Sequence, residues 1–380
     1  MNDCLIIGGG AIGLSLAYEL AGHGVFVELI DKHQVGHEAS WAGAGLLPPA
    51  SILGAIEPQE KLRALSHQLH EQWAKQLLED TGVDNQYERC GGVYIARKPG
   101  EAASLISAVH QWREEQVQVD SISSQQLAQQ IPQLLPESIH TELRSAYFLP
   151  DEAIVRNPRH LQALTAGCLK RGVKITEQTE AIRFKLNGNQ AISLETNQGE
   201  IKAGMFCLAA GSWTQQISDL LYQSIGDKTF IKTPEIEPIR GQILLYHTGE
   251  RLLPYPINEG PRYIIPRQDG HLLIGSTVEE VGFDKSTTTE AFDELREFAC
   301  SLLPCLAELE PQRIWAGLRP ASLDRLPYIG QVPGTTNVFM SSGHYRSGLH
   351  LSPGSAVTLG RVMRGVDPEF DLKPFRLDRG

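Results

Sequence analysis

The chain opens with a short apolar run that leads directly into a cluster of glycines. Residues 5–7 precede Gly8, Gly10 and Gly13, which form the pattern G-x-G-x-x-G. Apolar residues then recur at helical spacing, and a second apolar run occupies residues 25–30. This order of strand, turn, helix and strand predicts a βαβ unit and therefore a parallel sheet.

Each glycine has its own mechanical role in such a turn. Gly8 allows the tight turn, Gly10 lets the backbone approach a pyrophosphate, and Gly13 lets the helix pack closely on the strand. The start of the helix adds free N–H groups and the positive end of its dipole. Asp31 ends the second apolar run and is placed to accept ribose hydroxyls. Its carboxylate disfavours a 2′-phosphate, so the sequence predicts FAD or NAD rather than NADP.

Composition bounds the rest of the chain. With 380 residues, 41% hydrophobic and 21% charged, it exceeds a single core of about 150 residues, which predicts two domains. The formal net charge of −11 disfavours nucleic acid and anionic membrane surfaces as partners. Six scattered cysteines without a C-x-x-C pair predict neither a disulfide framework nor a metal site. With no signal peptide and no run of ~18 apolar residues, we expect a cytoplasmic protein without a membrane span.

A second region follows a different pattern. Residues 238–277 contain three strand-like runs separated by Pro and Gly turns, and one evident helix, residues 288–303, comes after them. This is typical of an antiparallel sheet. The predicted fold class is an α/β Rossmann-type domain with a second α+β domain built on a mainly antiparallel sheet.

Four stretches carry a resemblance to a known family. They are the N-terminal glycines, the small-residue run that ends at residue 47 and includes Ala39 and Ser40, the segment WAGLRP at residues 315–320, and the segment GHYRSG at residues 343–348. Together they resemble the D-amino-acid oxidase superfamily of FAD-dependent amine oxidoreductases, and within it the glycine oxidase branch linked to thiamine biosynthesis. The resemblance implies non-covalent FAD.

The same resemblance divides the chain and selects cofactor-contacting residues. We predict that residues 1–85, 146–222 and 326–380 form an FAD-binding domain. Residues 86–145 and 223–325 are predicted to form a substrate domain. The predicted cofactor-contacting residues are Gly8, Gly10, Ala11, Ile12, Gly13, Asp31, Lys32, Ala39, Ser40, Ala44, Gly45, Leu46, Ala181, Ala210, Gly211, Trp213, His344, Tyr345, Arg346, Ser347, Gly348 and Leu349.

Three residues are predicted to act on the substrate. Arg319, within WAGLRP, is expected to hold an amino-acid carboxylate bidentately, the alternative being a surface arginine that closes a turn. By the resemblance, Tyr263 lines the substrate cavity, although a strand tyrosine is more often simply packed. Arg346 is expected to be a cation in or beside the active site, or else a helix-entry arginine paired with a surface acid. Arg262, which precedes Tyr263, would favour an acidic substrate in place of a small neutral one.

The predicted activity is the oxidative deamination of glycine and other small amines or D-amino acids. Molecular oxygen would reoxidise the flavin and give hydrogen peroxide, and the imine would hydrolyse or feed thiazole formation. Hydride transfer from a neutral amine needs no obligatory side-chain base, so His344 is expected to be structural. The alternatives are a dehydrogenase of the same fold that reduces a quinone or a partner protein, and a non-catalytic FAD-binding module. The resemblance also implies a homo-oligomer.

Overall fold

A computed structural model of the protein describes residues 2–134, 142–225 and 234–379. Its strands are β1 (Asn2–Ile7), β2 (Val27–Ile30), β3 (Leu46–Leu47), β4 (Gly92–Ala96), β5 (Asp120–Ser121), β6 (Ser145–Leu149), β7 (Ala153–Ile154), β8 (Lys174–Thr176), β9 (Ala181–Asn187), β10 (Gln190–Thr196), β11 (Gly199–Leu208), β12 (Ile236–His247), β13 (Ile257–Glu259), β14 (Arg262–Pro266), β15 (His271–Gly275), β16 (Arg313–Ser322), β17 (Tyr328–Gln331) and β18 (Val338–Ser342). Its α-helices are α1 (Ala11–Gly22), α2 (Ala39–Ala42), α3 (Pro58–Thr81), α4 (Pro99–Glu114), α5 (Ser124–Gln130), α6 (Asn157–Lys170), α7 (Thr214–Ser224), α8 (Thr289–Leu302) and α9 (Gly348–Met363).

The N-terminal glycines open a largely parallel sheet, as predicted. The strand order is β17-β18-β11-β1-β2-β8, and β1 pairs in parallel with both β2 and β11. Helix α1 connects β1 to β2 and packs against α6 and α9. Because helices cover the sheet, its central strands are largely apolar, and Leu5 and Ile6 are completely buried. The predicted βαβ unit is therefore present.

A second sheet is built from the middle of the chain. Its order is β16-β12-β15-β14-β13-β4-β6-β5, and every described pairing is antiparallel except that of β13 with β4. The predicted antiparallel region at residues 238–277 is confirmed, and β16, which carries the WAGLRP segment, adds a strand beside β12. Helix α8 closes one face with an apolar core. The other face lines the cavity described below.

Two of the predicted domain bounds do not coincide with the ends of these elements. Strand β6 pairs with β4 and β5 in the second sheet, although residues 146–149 were assigned to the first domain. Helix α7 packs on β9 and β11 of the first sheet and runs past the predicted bound at residue 222. Local sequence shows that a strand or helix forms but not which sheet it joins, because pairing partners are distant in the chain. The remaining bounds stay a prediction, and residues 135–141 and 226–233 of those ranges lie outside the described residues.

The helix that joins the two regions has clear end signals. Glu57 and Glu60 form a capping box around Pro58, and Gly82 ends the helix with φ of 73°. Both ends of helix α3 are therefore fixed by local residues. In the described part of the chain, no helix is long and apolar enough to cross a membrane.

Candidate active site

One cavity brings together nearly all the residues singled out from the sequence. It has a volume of about 660 Å³, within the usual range for small-molecule sites. Its wall includes all three predicted substrate residues and every predicted cofactor residue except Gly13. The glycine turn lies in one part of this wall, and the second sheet, with Tyr263 and Arg319, forms another. Residues that are up to about 340 positions apart in the chain therefore share one site.

Gly13 allows helix α1 to pack closely on strand β1 and does not line the cavity. A Cβ atom on Gly13 would overlap the carbonyl oxygen of Gly8, so a larger residue would push helix α1 away from β1. Gly8 itself has φ of +114° and leaves no room for a side chain beside Ala209. The two glycines thus set the close approach of helix and strand, which was the role expected of Gly13, although Gly13 does not line the cavity.

Asp31 and Ser40 hold the glycine turn in place. The two carboxylate oxygens of Asp31 accept hydrogen bonds from the backbone N–H groups of Gly9, at 2.7 Å, and His33, at 2.8 Å. Ser40 Oγ accepts from the N–H of Ala11 at 2.9 Å. One amide at the start of α1 is therefore already bonded, contrary to the expectation that these groups are free. Ser40 lies on α2, a single helical turn inside the small-residue run that ends at residue 47.

Asn157 is a site residue that the sequence did not reveal. Arg156 is the N-cap of the following helix, and Asn157 is its first helical residue. Asn157 Nδ2 donates to the Ser40 carbonyl oxygen at 2.8 Å, and its Oδ1 is buried without a hydrogen-bond partner among the described residues. Asn157 also lines the cavity. The contact joins positions 117 apart, which no local pattern encodes.

Arg267 is a second residue that the sequence did not reveal. Its guanidinium donates to the Ala44 carbonyl oxygen at 2.6 Å and to the Val155 carbonyl oxygen at 3.1 Å. Desolvation lowers its pKa to about 10, which keeps it charged at neutral pH. Gly45 follows Ala44 in the chain, packs against Val155 and has φ of +75°. Arg267 therefore fixes the backbone that forms one side of the cavity.

Arg319 is held on the cavity wall by neutral partners. It lies on β16 opposite Ile239 of β12. Its Nη2 donates to Ser276 Oγ at 2.7 Å, and its Nη1 donates to the Thr277 carbonyl oxygen at 3.0 Å. Desolvation lowers its pKa below the usual range for arginine. No carboxylate among the described residues forms an ion pair with Arg319, so this cation is available to a ligand carboxylate.

Tyr263 and the two nearby arginines surround this position. Tyr263 lies on β14 opposite Gly275, whose missing side chain leaves space for the tyrosine ring. Arg346 is exposed, donates to the Pro261 carbonyl oxygen at 2.8 Å and lowers the pKa of Arg319 through its charge. It is therefore a cation beside Arg319. Arg262 lies 3.9 Å from Glu101, and that pairing reduces its attraction for an acidic substrate.

His344 is neutral in its buried position. Its Nε2 lies 3.0 Å from Ser355 Oγ, and desolvation lowers the pKa of the imidazole to about 3. It therefore carries no charge at neutral pH. No cysteine is among the described residues that line the cavity; Cys300 and Cys305 lie elsewhere.

Gly241 provides a test of the position of Arg319. A Cβ atom at residue 241 would overlap the Arg319 guanidinium. We expect Gly241→Ala to lower kcat/KM at least about tenfold, since a tenfold change corresponds to only ~1.4 kcal/mol, while flavin content and melting temperature stay unchanged. Steady-state kinetics would measure this loss. Gly100→Ala, where a Cβ would meet nothing within 4 Å, is the control, and unchanged kinetics in Gly241→Ala would show that the guanidinium position is unimportant.

A cluster of buried histidines lies next to the cavity. His70 Nε2 lies 2.9 Å from the carbonyl oxygen of His350, and the His70 and His160 rings are 5.7 Å apart. Desolvation lowers the pKa of His70 to about 4 and that of His160 to about 3. Each stays neutral in the folded protein at a pH where an unfolded histidine, with a pKa of about 6.5, takes up a proton.

These histidines predict acid instability. Between the folded and unfolded pKa values the unfolded state binds more protons, so the free energy of unfolding falls as pH falls below about 6.5. The variant His160→Gln lacks this proton uptake. We therefore expect its free energy of unfolding, relative to that of the unmodified protein, to rise by roughly 2–3 kcal/mol when the pH is lowered from about 7.5 to about 4.5. Urea unfolding of both proteins at each pH measures this difference. A difference that does not change with pH would contradict the expected linkage.

The fold and the site together define a dinucleotide-dependent oxidoreductase with a cationic substrate end. The sequence profile of the family DAO, FAD dependent oxidoreductase, matches residues 3–361. The protein belongs to this family of FAD-dependent oxidoreductases. The predicted family, fold class and FAD cofactor are therefore confirmed.

Individual relatives narrow the comparison. The chain is 34% identical over 373 residues to the glycine oxidase of Pseudomonas aeruginosa, covering 98% of this chain and 97% of that protein. It is 28% identical over 374 residues to the bifunctional protein ThiO/ThiG of Trichormus variabilis, covering 94% of this chain and 52% of that protein. The crystal structure of glycine oxidase from Geobacillus kaustophilus superposes with a TM-score of 0.91 at 27% identity, covering 100% of this chain and 99% of that chain.

Proposed function

We propose that this protein is an FAD-dependent amino-acid oxidase whose preferred substrate is glycine. The observation that carries the proposal is Arg319, a half-buried cation on the cavity wall that pairs with no carboxylate among the described residues and donates to Ser276 and Thr277. Burying a charge is costly unless it is paired, and a substrate carboxylate supplies the missing partner. The similarity to glycine oxidases over nearly the whole chain supports glycine.

The cavity fits a non-covalently bound FAD. Gly8 and Gly45 line the cavity, and a side chain on either would collide with the backbone of Ala209 or Val155, so each glycine allows the close chain packing that forms this wall. Asn157, whose Oδ1 is buried without a hydrogen-bond partner among the described residues, lines the same cavity. We propose that the cofactor is held by the predicted cofactor-contacting residues that line the cavity, together with Asn157. When bound, FAD supplies the acceptor for the hydride that the substrate loses.

The protein's own residues would bind and orient the amino acid. Arg319 and Tyr263 hold its carboxylate, which fixes the Cα–H bond in direction; such positioning supplies much of the rate in reactions of this kind. Arg346 adds positive charge beside Arg319 and so favours an anionic substrate group. The apolar part of the wall, which includes Ile243 and Leu46, excludes water from the reacting bond.

The product of such a reaction is an imine, which hydrolyses to glyoxylate and ammonia when glycine is the substrate. Molecular oxygen is the proposed final electron acceptor and is reduced to hydrogen peroxide. The relative named ThiO/ThiG joins a chain like this one to a second half in one protein, which supports use of the imine by a neighbouring enzyme, as thiazole synthesis for thiamine would require. The cytoplasmic location and the homo-oligomeric state stay predictions, and light scattering of the purified protein tests the latter.

Anaerobic mixing of the purified yellow protein with glycine, sarcosine, D-alanine and D-proline tests the function. Bleaching of the flavin absorbance by glycine, followed by rapid recovery in air, is the expected result. Bleaching with slow recovery in air and fast dye reduction would instead identify a dehydrogenase. No bleaching with any of the four would refute the proposed substrate class.

A further inference from the structure

A buried carboxyl group without a cationic partner lies beside the cavity. Glu152 is 0% exposed and follows β6 in the turn before β7. The Tyr94 hydroxyl donates to its Oε2, and Asn258 Nδ2 donates to its Oε1 at 3.1 Å. Gly92 leaves the space that the carboxyl group occupies. Among the residues that the structure describes, no lysine, arginine or histidine forms an ion pair with Glu152, and such burial is costly without a cation.

The two donors to this acid are part of the cavity wall. Tyr94 on β4 pairs with Asn258 on β13, which pairs with Tyr263 on β14, and all three line the cavity. Paired residues on neighbouring strands point to the same face of a sheet. Strands lie about 4.8 Å apart, so the Tyr94 and Tyr263 backbones are separated by about 10 Å, a gap that their side chains and a small ligand can span. A polar row therefore links Glu152 to the proposed carboxylate site.

An amino acid carries a partner of opposite charge for each of Arg319 and Glu152. At neutral pH it is a zwitterion, with a carboxylate for Arg319 and an ammonium group for Glu152. Loss of a hydride from Cα requires a free lone pair on nitrogen, because that pair forms the C=N bond of the imine. The ammonium group must therefore lose a proton before the chemical step.

Building on the proposed function, we propose that Glu152, acting through the Tyr94 hydroxyl, accepts the proton of the substrate ammonium group in the cavity. The ammonium N–H bond breaks as its proton joins the Tyr94 oxygen, and the proton already on Tyr94 passes to Glu152 Oε2. An ammonium and a carboxylate thus become an amine and a carboxylic acid, with no change of oxidation state. After the product leaves, the acid returns this proton to solvent.

The electrostatics of the site agree with this assignment. Desolvation raises the pKa of Glu152 to about 7, which makes it a stronger base than an ordinary glutamate and leaves it substantially ionised at neutral pH. Burial also raises the pKa of Tyr94, so the two proton transfers are concerted and no tyrosinate forms. The other titratable groups around Glu152 are Cys90, whose thiol pKa is raised to about 12, and Asp151, which is paired with Arg89.

The test compares pH profiles of the flavin-loaded protein and Glu152→Gln, which preserves side-chain size and can still accept from Tyr94. Anaerobic flavin reduction by glycine gives kcat/KM from about pH 7 to above the pKa of the amine. Two pH units below that pKa only about one molecule in a hundred carries a free amine, so we expect about a 100-fold loss there. Above the pKa of the amine the variant should approach the unmodified protein. An equal loss at every pH, or none, would overturn the proposal.

Control measurements separate this role from a structural one. Tyr94→Phe should lose activity with the same pH dependence, and it decides the question if Glu152→Gln does not fold. Glu259→Gln removes another buried carboxylate, one that pairs with Arg97 and follows Asn258 on the opposite face of β13, and it should keep the unmodified profile. Acetate lacks an ammonium group, so its affinity, measured from flavin absorbance, should be equal in Glu152→Gln; weaker binding would indicate a structural role and reject the proposal.

The outcome for the unmodified protein separates this proposal from the proposed function. Flavin that no small amino acid reduces at any pH would refute the function itself. Flavin that glycine reduces, with parallel pH profiles for the unmodified protein and Glu152→Gln, would refute only the role of Glu152.

Discussion

Replacing Arg319 by alanine should lower kcat/KM for glycine by about 100-fold or more, which corresponds to ~3 kcal/mol. The Arg319 side chain is half-buried, and its guanidinium donates to Ser276 and Thr277 and pairs with no carboxylate among the described residues. Without it, a substrate carboxylate in the cavity would lose its charged hydrogen bonds while still losing its hydration. Steady-state oxygen consumption at several glycine concentrations measures the effect.

Arg319→Lys is the matched variant for this prediction. It keeps the positive charge but not the planar pair of donors, so we expect it to lose kcat/KM, but less than Arg319→Ala does. Both variants should retain FAD, because Arg319 lies on β16 and the glycine turn lies after β1. Unchanged kcat/KM in Arg319→Ala with full flavin content would contradict the carboxylate role and favour a non-catalytic FAD-binding protein.

Replacing Gly45 by alanine should abolish stable FAD binding and lower the free energy of unfolding by about 3 kcal/mol or more. The added Cβ would overlap the Val155 carbonyl oxygen and the Asn157 side chain. Because Val155 is held by Arg267, its backbone cannot move aside without breaking a buried hydrogen bond. Flavin absorbance per protein and urea unfolding measure the two effects.

Gly24→Ala is the control that isolates this collision. Gly24 has φ of +79°, close to the +75° of Gly45, so both variants carry a similar backbone strain of about 1–2 kcal/mol. A Cβ on Gly24, however, meets nothing within 4 Å. We therefore expect Gly24→Ala to bind FAD normally with a small loss of stability. Equal losses in the two variants would mean that backbone strain, and not the packing around the cavity, determines the effect at Gly45.

Much of the cofactor end was predictable because its signals are local. The turn at Gly8 to Gly13 depends on backbone freedom and spacing between consecutive residues. The resemblance added Arg319 and Tyr263 through short motifs. Gly8, Gly10, Arg319 and Tyr263 lie on one cavity wall. Gly13 does not, and its packing role follows from the same local geometry.

The residues that the sequence did not reveal all act across long separations. Asn157 contacts Ser40, 117 positions away, and Arg267 contacts Ala44, 223 positions away. Glu152 meets Asn258 at a separation of 106. In the sequence these three residues are indistinguishable from a helix cap, a strand-end arginine and an exposed acid.

The sequence by itself determined that this protein binds a dinucleotide through its first βαβ unit, because glycine spacing and apolar periodicity act within about 30 neighbouring residues. Through short motifs it also determined the family, and it predicts Arg319 as the arginine that binds the substrate. Only the tertiary structure decided which strands form the second sheet and which buried polar groups face the cavity. Strand pairing brings Tyr94, Asn258 and Tyr263 into one row, and burial in that fold changes the pKa of Glu152. Both depend on partners distant in the chain, which local patterns do not specify.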